Sequence, residues 1–397
     1  MDRLTFSAAE IAPQVNILAE EAITANKTIV HFVGFLSEEM HAFMLPAFRQ
    51  LAAQGFRQIL ITPDQARARA LRQEFGDAIC CLTAGRLRRN RPINWPRMLE
   101  LLGNSLLREA PRVVHFYGAK AWMLGARMLS SNDTVSVVYS PHGSHALGSL
   151  QVFARLLAPL AITKRIRRDV RYVATSRHES ALINRVYGRS AIVAESLIDP
   201  LLFSLPADRS TAPYLVTGGD SHKAAGFDLL VRLSVKLRGV ADDLRVDWIS
   251  GGNDQTHALL KAAQIHNVDS SDVSALARAL AQAWFYVETT ETRGFPVYVA
   301  RAMAMAVPCI APDTLFNRDL IEHGRTGLLF SGEAELIRDV GLLLQDKALR
   351  TRMGNAARIA AQARLHPERF AQKLNDIYAV SDVPVAVPTT RLQSVPL

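Results

Sequence analysis

The residues with the most chemistry to offer stand just beyond apolar runs that end at glycine. His142 lies in YSPHGSHA (139–146), after a β-rich run and before Gly143. An imidazole there can hydrogen-bond a sugar hydroxyl or a phosphate, or it can serve only as a capping or core histidine. In VTGGDSHKAAGFDLL (216–230), His222 and Lys223 stand between a glycine turn and a helix, a place suited to phosphate oxygens, although a lysine at a helix start is often simply solvated. In ETRGFPVYVARAMAMAVPCIAPD (291–313), Glu291, Arg293, Gly294 and Phe295 make the turn before a small-residue helix that carries Arg301. Backbone amides at Gly294 and Phe295, together with the positive end of that helix, favour an anion, diphosphate above all. The Arg293 guanidinium can fork onto phosphate or carboxylate, whereas Arg301 reads equally well as a surface residue. Gly34 closes TIVHFVGF (28–35) and is either a tight turn or a loop that lets backbone approach a substrate. His115, inside VVHFYG, reads as a packed or paired structural residue.

These positions need strands and helices to hold them, and the chain supplies both in alternation. TIVHFVGF, RQILIT (57–62), PRVVHFYG (111–118), TVSVVYSPHG (134–143) and VRYVATS (170–176) read as strands with helical runs between them. The strands are continuously apolar rather than alternating, the mark of parallel sheets covered on both faces. The pattern weakens in SLIDPLLFSLPADRSTAP (196–213), then restarts with YLVTGG (214–219), VDWISGG (246–252), WFYVE (284–288), VPCIA (307–311) and GLLF (327–330). The expectation is an α/β chain of two tandem, Rossmann-like, doubly wound domains facing a cleft. The first spans 1–200, a linker 201–213 and the second 214–365. A helix at 366–380 is expected to pack back on the first domain, and the Pro-rich end, 381–397, to be disordered. Ligands in such sheets bind beyond the carboxyl ends of the strands, so the site belongs in the cleft.

Composition narrows the partners. Of 397 residues, 46 are Lys or Arg against 37 Asp or Glu, a net charge of +9 that favours anionic ligands. Two basic stretches, 86–98 with Trp95 and 149–171, read either as contacts to an anionic membrane surface or as solvated segments. No aromatic platform or nucleic-acid module accompanies them, so no nucleic-acid partner is expected. The three cysteines, Cys80, Cys81 and Cys309, show neither a disulfide framework nor metal spacing, which points to a reducing compartment. The N-terminus lacks the apolar core of a secretion signal, and no uncharged run is long enough to span a bilayer. A cytoplasmic location, with peripheral attachment to the inner face of the cell membrane, follows as an expectation.

RGFPVYVARAMAMAVPCIA, NRDLIEHGRTGLLF (317–330), the HG of SPHG, SLIDPLLF and GFDLL (226–230) together resemble the family 4 glycosyltransferases, over roughly residues 28–380. The resemblance implies the GT-B fold and a retaining, metal-independent enzyme with no cofactor. It would move sugar from a nucleotide diphosphate-sugar to a carbohydrate or lipid-linked acceptor, in exopolysaccharide or lipopolysaccharide assembly. By the same resemblance His142 is catalytic, orienting the donor sugar. Gly34, His222, Lys223, Glu291, Arg293, Gly294, Phe295 and Arg301 bind the donor. The chain departs from the family at telling places. Both family glutamates are replaced, by Arg293 and Arg301, the second glycine of the turn is Pro296, and the diphosphate-gripping Arg and Lys slots hold Asp220 and Ala225. A guanidinium only donates hydrogen bonds, so it cannot accept them from sugar hydroxyls. Glu291 can restore one carboxylate if the loop bulges. The replacements imply either a more anionic donor sugar, such as a uronic acid, or a catalytically degenerate GT-B binding or scaffold protein.

Overall fold

The computed structural model describes residues 27–34, 38–84, 94–129, 135–142, 170–218, 224–238, 243–250, 258, 260–269, 272–290 and 294–378. Residues 1–26, the tail 381–397 and most of both basic stretches lie outside them.

The first lobe is a parallel sheet of seven strands: β1 (Thr28–Val33), β2 (Arg57–Thr62), β3 (Ile79–Thr83), β4 (Val113–Tyr117), β5 (Ser136–Ser140), β6 (Val170–Ala174) and β7 (Ala191–Val193). Their order is β3-β2-β1-β4-β5-β6-β7. Helices α1 (Glu38–Ala53), α2 (Gln65–Phe75), α3 (Trp95–Glu109), α4 (Ala119–Gly125) and α5 (Arg177–Tyr187) connect them. Short side-chain caps start three of these helices: Asp64, Asn94 and Ser176 each accept from a backbone amide three residues on. Adjacent residues of β1 serve opposite faces, Ile29 and Val33 entering one core and Val30 and Phe32 the other. That division explains why the strand is apolar throughout.

A short helix, α6 (Pro200–Ser204), leads into the second lobe. Here β8 (Tyr214–Gly218), β9 (Arg245–Ser250), β10 (His266–Asp269), β11 (Phe285–Glu288), β12 (Cys309–Pro312) and β13 (Gly327–Phe330) pair in parallel, in the order β10-β9-β8-β11-β12-β13. Around them lie α7 (Ala224–Arg238), α8 (Val273–Gln282), α9 (Val297–Ala304), α10 (Leu315–Leu320), α11 (Glu333–Gln345) and α12 (Lys347–Leu365). The last helix, α13 (Pro367–Tyr378), returns to the first lobe, where Phe370, Leu374, Ile377 and Tyr378 enter the core beside Phe43 and Val113.

Each sheet reverses its winding once, between β1 and β4 in the first lobe and between β8 and β11 in the second. Those reversals open the crevices in which doubly wound folds bind ligands. The carboxyl edges of the two sheets meet. The His178 amide, just beyond β6, donates to Asp319 Oδ2, beyond β12, at 3.0 Å. Arg364 ties the same region together by donating to the Asp319 carbonyl and, at 2.5 Å, to Glu195 Oε1.

Several side chains hold the linker: Arg358 donates to the carbonyls of Phe203 and Leu205, Trp284 Nε1 to that of Ser210, and Arg209 reaches out from it. Arg209 Nη1 donates to the carbonyls of Leu280 and Ala281 at 2.8 and 3.0 Å, and Nη2 to those of Met305 and Ala306 at 3.0 and 2.7 Å. These carbonyls lie at the ends of α8 and α9, where intrahelical partners run out and positive charge is favoured by the helix dipoles. Burial pushes the guanidinium down to about 10, still cationic at neutral pH. Arg209→Ala is expected to destabilise the fold by roughly 3 kcal/mol, and Arg209→Lys to recover less than half, because a single ammonium cannot span two helix ends. Thermal denaturation of the three proteins checks this.

Candidate active site between the lobes

The second-lobe crevice is built from the ends of β8 and β11, where Gly218 stands beside Glu288 in the sheet. A Cβ on Gly218 would meet the Tyr286 hydroxyl and the Ile249 carbonyl, both at 3.1 Å. A Cβ on Gly226, in the first turn of α7, would lie 2.3 Å from the Thr290 methyl and 3.1 Å from the Thr289 carbonyl. Glycine at 226 therefore lets α7 close directly onto the exit of β11. Glu288 is buried and turned back on its own strand. Its Oε2 accepts from the Tyr286 hydroxyl at 3.0 Å, and its Oε1 accepts from the Thr290 amide at 3.0 Å and from the Thr290 hydroxyl. This carboxylate pins Thr290, just beyond the end of β11. Thr217 and Thr289, beside it, have buried hydroxyls without a hydrogen-bond partner among the described residues. Two such hydroxyls at one crevice are a deficit that a polar ligand can fill.

The helix after that turn begins differently from the expectation. Gly294, Phe295 and Pro296 are all buried, and the Phe295 ring belongs to the second-lobe core. Proline brings no amide, and the Val297 amide donates to the Phe295 carbonyl at 2.9 Å. Fewer amides are thus left to meet an anion than a glycine-rich turn would offer. Arg301, half-buried in α9, places its guanidinium 5.5 Å from the centre of the Tyr298 ring. His222, Lys223, Glu291 and Arg293 lie outside the described residues.

On the first lobe, Gly34 ends β1 and is buried; a Cβ there would lie 2.5 Å from Cη2 of Trp95. The glycine is required by the indole that covers it, a reason the sequence did not show. His142 stands past the end of β5 in the left-handed region, at φ +49°. Its ring stacks on Tyr117 (5.6 Å between centres, 18° between planes) and meets Phe43 edge-on at 5.5 Å. Its Nε2 is buried with no partner among the described residues. Burial holds the imidazole down to about 3, so it is neutral at physiological pH and offers one donor and one acceptor nitrogen. A neutral imidazole with a free nitrogen, on a backbone that costs of order 1 kcal/mol to hold there, is suited to a sugar hydroxyl.

Beneath it lies a buried polar cluster. His31 Nδ1 and the Tyr117 hydroxyl share a hydrogen bond of 3.0 Å. His115 Nδ1 pairs with the Tyr378 hydroxyl at 2.6 Å, and its Nε2 with Ser140 Oγ at 2.7 Å. His115 is wholly buried in a structural role, and Tyr378 brings α13 into the network. Sequence reading missed Glu288, Thr289, Thr290 and Tyr378. The one available signal was an ionisable residue, Glu288, closing an otherwise apolar strand.

Comparison with known proteins follows this geometry. Residues 212–346 match the family described as Glycosyl transferases group 1. No curated protein matches the chain in sequence. Among solved structures, a glycosyltransferase from Rickettsia africae superposes with a TM-score of 0.69 at 15% identity, covering 88% of this chain and 97% of that one. HepE of Anabaena, solved with UDP and glucose, superposes with a TM-score of 0.68 at 14% identity, covering 89% and 99%. WaaG, a glycosyltransferase involved in lipopolysaccharide biosynthesis, gives 0.65 at 12% identity, covering 88% and 99%. The chain therefore has the GT-B fold, and its second lobe carries the sequence signature of the group 1 glycosyl transferases.

Proposed function

We propose that the protein is a glycosyltransferase that moves a sugar from a nucleotide diphosphate-sugar, bound at the β8–β11 crevice, to an acceptor held by the first lobe. The observation that carries this reading is the opposition of two carboxyl edges: the Gly218–Gly226–Thr290 crevice on one side, and His142 with its unpartnered Nε2 on the other. The family match covers that whole crevice, and HepE, of the same fold, was solved with UDP and glucose. Lys223 and Arg293, with the amides at the start of α9, stabilise the leaving diphosphate, while His222, Glu291 and Arg301 complete the donor pocket. His142 orients the donor sugar. The resemblance to the family extends the proposal to retention of configuration without a metal or cofactor, and to surface polysaccharide assembly at the cytoplasmic face of the membrane. No described helix is long and apolar enough to cross a membrane.

A second reading, a GT-B scaffold without turnover, is favoured by one observation. Arg301 occupies a slot that the resemblance assigns to a carboxylate, and its guanidinium lies on Tyr298. Thermal denaturation with UDP-, GDP- and ADP-sugars at about millimolar concentration separates protein that binds donor from protein that does not. Binding at 100 times Kd is expected to add about 2.7 kcal/mol. No shift with any of the three would remove the donor site. A shift without transfer or hydrolysis would favour the scaffold.

A further inference from the structure

The winding of the first sheet reverses between β1 and β4, and two side chains mark that point: Trp95 lies over Gly34 at the end of β1, and Lys120 follows β4 by three residues. The indole is half-buried against Phe32, its ring centre 6.4 Å from the phenyl. Lys120 is exposed, with its Nζ 5.4 Å from the centre of the indole. No carboxylate pairs with Lys120 among the described side chains, which do not include those of Glu38 and Glu39. Glu100, on the same helix as Trp95, is engaged by Arg97. Contact with a ring face leaves the ammonium's three N–H groups available to oxygens. A lysine normally wanders through many rotamers, and the indole restricts it.

We propose that the acceptor carries an anionic group, a phosphate or carboxylate borne on a sugar, and that Lys120 receives it, held in place by Trp95. The proposal rests on the reading of the first lobe as the acceptor side. It accounts for three features together: a glycine whose missing Cβ makes room for the indole, an aromatic side chain left half-exposed at the ligand-binding crevice of the sheet, and a cation with no counter-charge among the described side chains. Both charge and position are needed, since an exposed lysine elsewhere on the surface would attract anions weakly and without preference for a sugar.

Tryptophan emission tests it on the full chain, because Trp122 and Trp248 are buried and Trp284 is capped by Arg350 at 4.0 Å. Glucose 6-phosphate, glucuronate, glucose and inorganic phosphate are titrated into the wild type, Lys120→Ala and Trp95→Phe. Glucose 6-phosphate and glucuronate are expected to bind at least tenfold more tightly than glucose, with a signal that disappears in Trp95→Phe and a preference that falls below threefold in Lys120→Ala. Equal binding of charged and neutral sugars, a preference that survives in Lys120→Ala, or inorganic phosphate binding as tightly as the sugar phosphate would each overturn the proposal. Nucleotide-sugar stabilisation of the wild type is measured in parallel. Its failure would strike the donor site alone.

Discussion

His142→Ala is expected to lower sugar transfer at least about a hundredfold, measured with whichever nucleotide-sugar stabilises the protein, while donor binding persists. Removing one preorganised hydrogen-bonding group at a reacting centre typically costs that much. The structure supplies the reason this group would be preorganised. Tyr117 and Phe43 clamp the ring, and no protein group competes for Nε2 among the described residues. Alanine also changes the backbone preference, because position 142 sits at φ +49°. His142→Asn keeps a residue that tolerates that region, and His142→Gly relieves it altogether. All three variants are expected to lose transfer alike, since each lacks the imidazole. Transfer within threefold of wild type in His142→Asn would show that the ring serves packing only.

Acidification is expected to unfold the first lobe well before its carboxylates are protonated. Burial holds His31 down to about 3 and His115 well below its ordinary value, the Gln58 amide beside His31 being outweighed. The unfolded chain therefore binds protons that the folded chain refuses, and stability falls as pH drops through 6.5. For His31 alone the loss is about 2 kcal/mol at pH 5 and roughly 5 kcal/mol by pH 3, where the folded imidazole begins to titrate. His115 adds a loss of the same sign over the same window. Above pH 7 neither residue contributes any slope. The measurement is denaturant unfolding from pH 8 to 5, compared with His31→Gln, which keeps a polar side chain but cannot titrate. The variant should show a shallower fall across this range. Equal slopes would mean that the cluster admits water and that the imidazoles are not held neutral.

A large part of the architecture could be read from the order of residues. Continuous apolar strands such as TIVHFV and RQILIT require helices on both faces, and their alternation with helical runs admits little besides doubly wound sheets. Short or polar elements escaped. The strand His266–Asp269 is an edge strand with one buried residue, and Ile79–Thr83 lies at the other sheet's margin, so neither needed a long apolar run. Helix α3 was read only as a basic stretch, although its proline falls in the first turn, where a missing amide costs nothing.

Local sequence determined which glycines and histidines end strands, because turn chemistry and strand pattern involve neighbours along the chain. It could not say what each of them faces. Gly34 and Gly226 were both visible as glycines, yet one is required by Trp95, 61 positions on, and the other by Thr290, 64 positions on. His115 and His142 both sit near strand ends, yet Tyr378 of the last helix occupies one while Nε2 of the other has no partner among the described residues. Burial and hydrogen bonding are set by contacts distant in sequence, so the structural role of His115 was decided only when α13 folded back onto the first sheet.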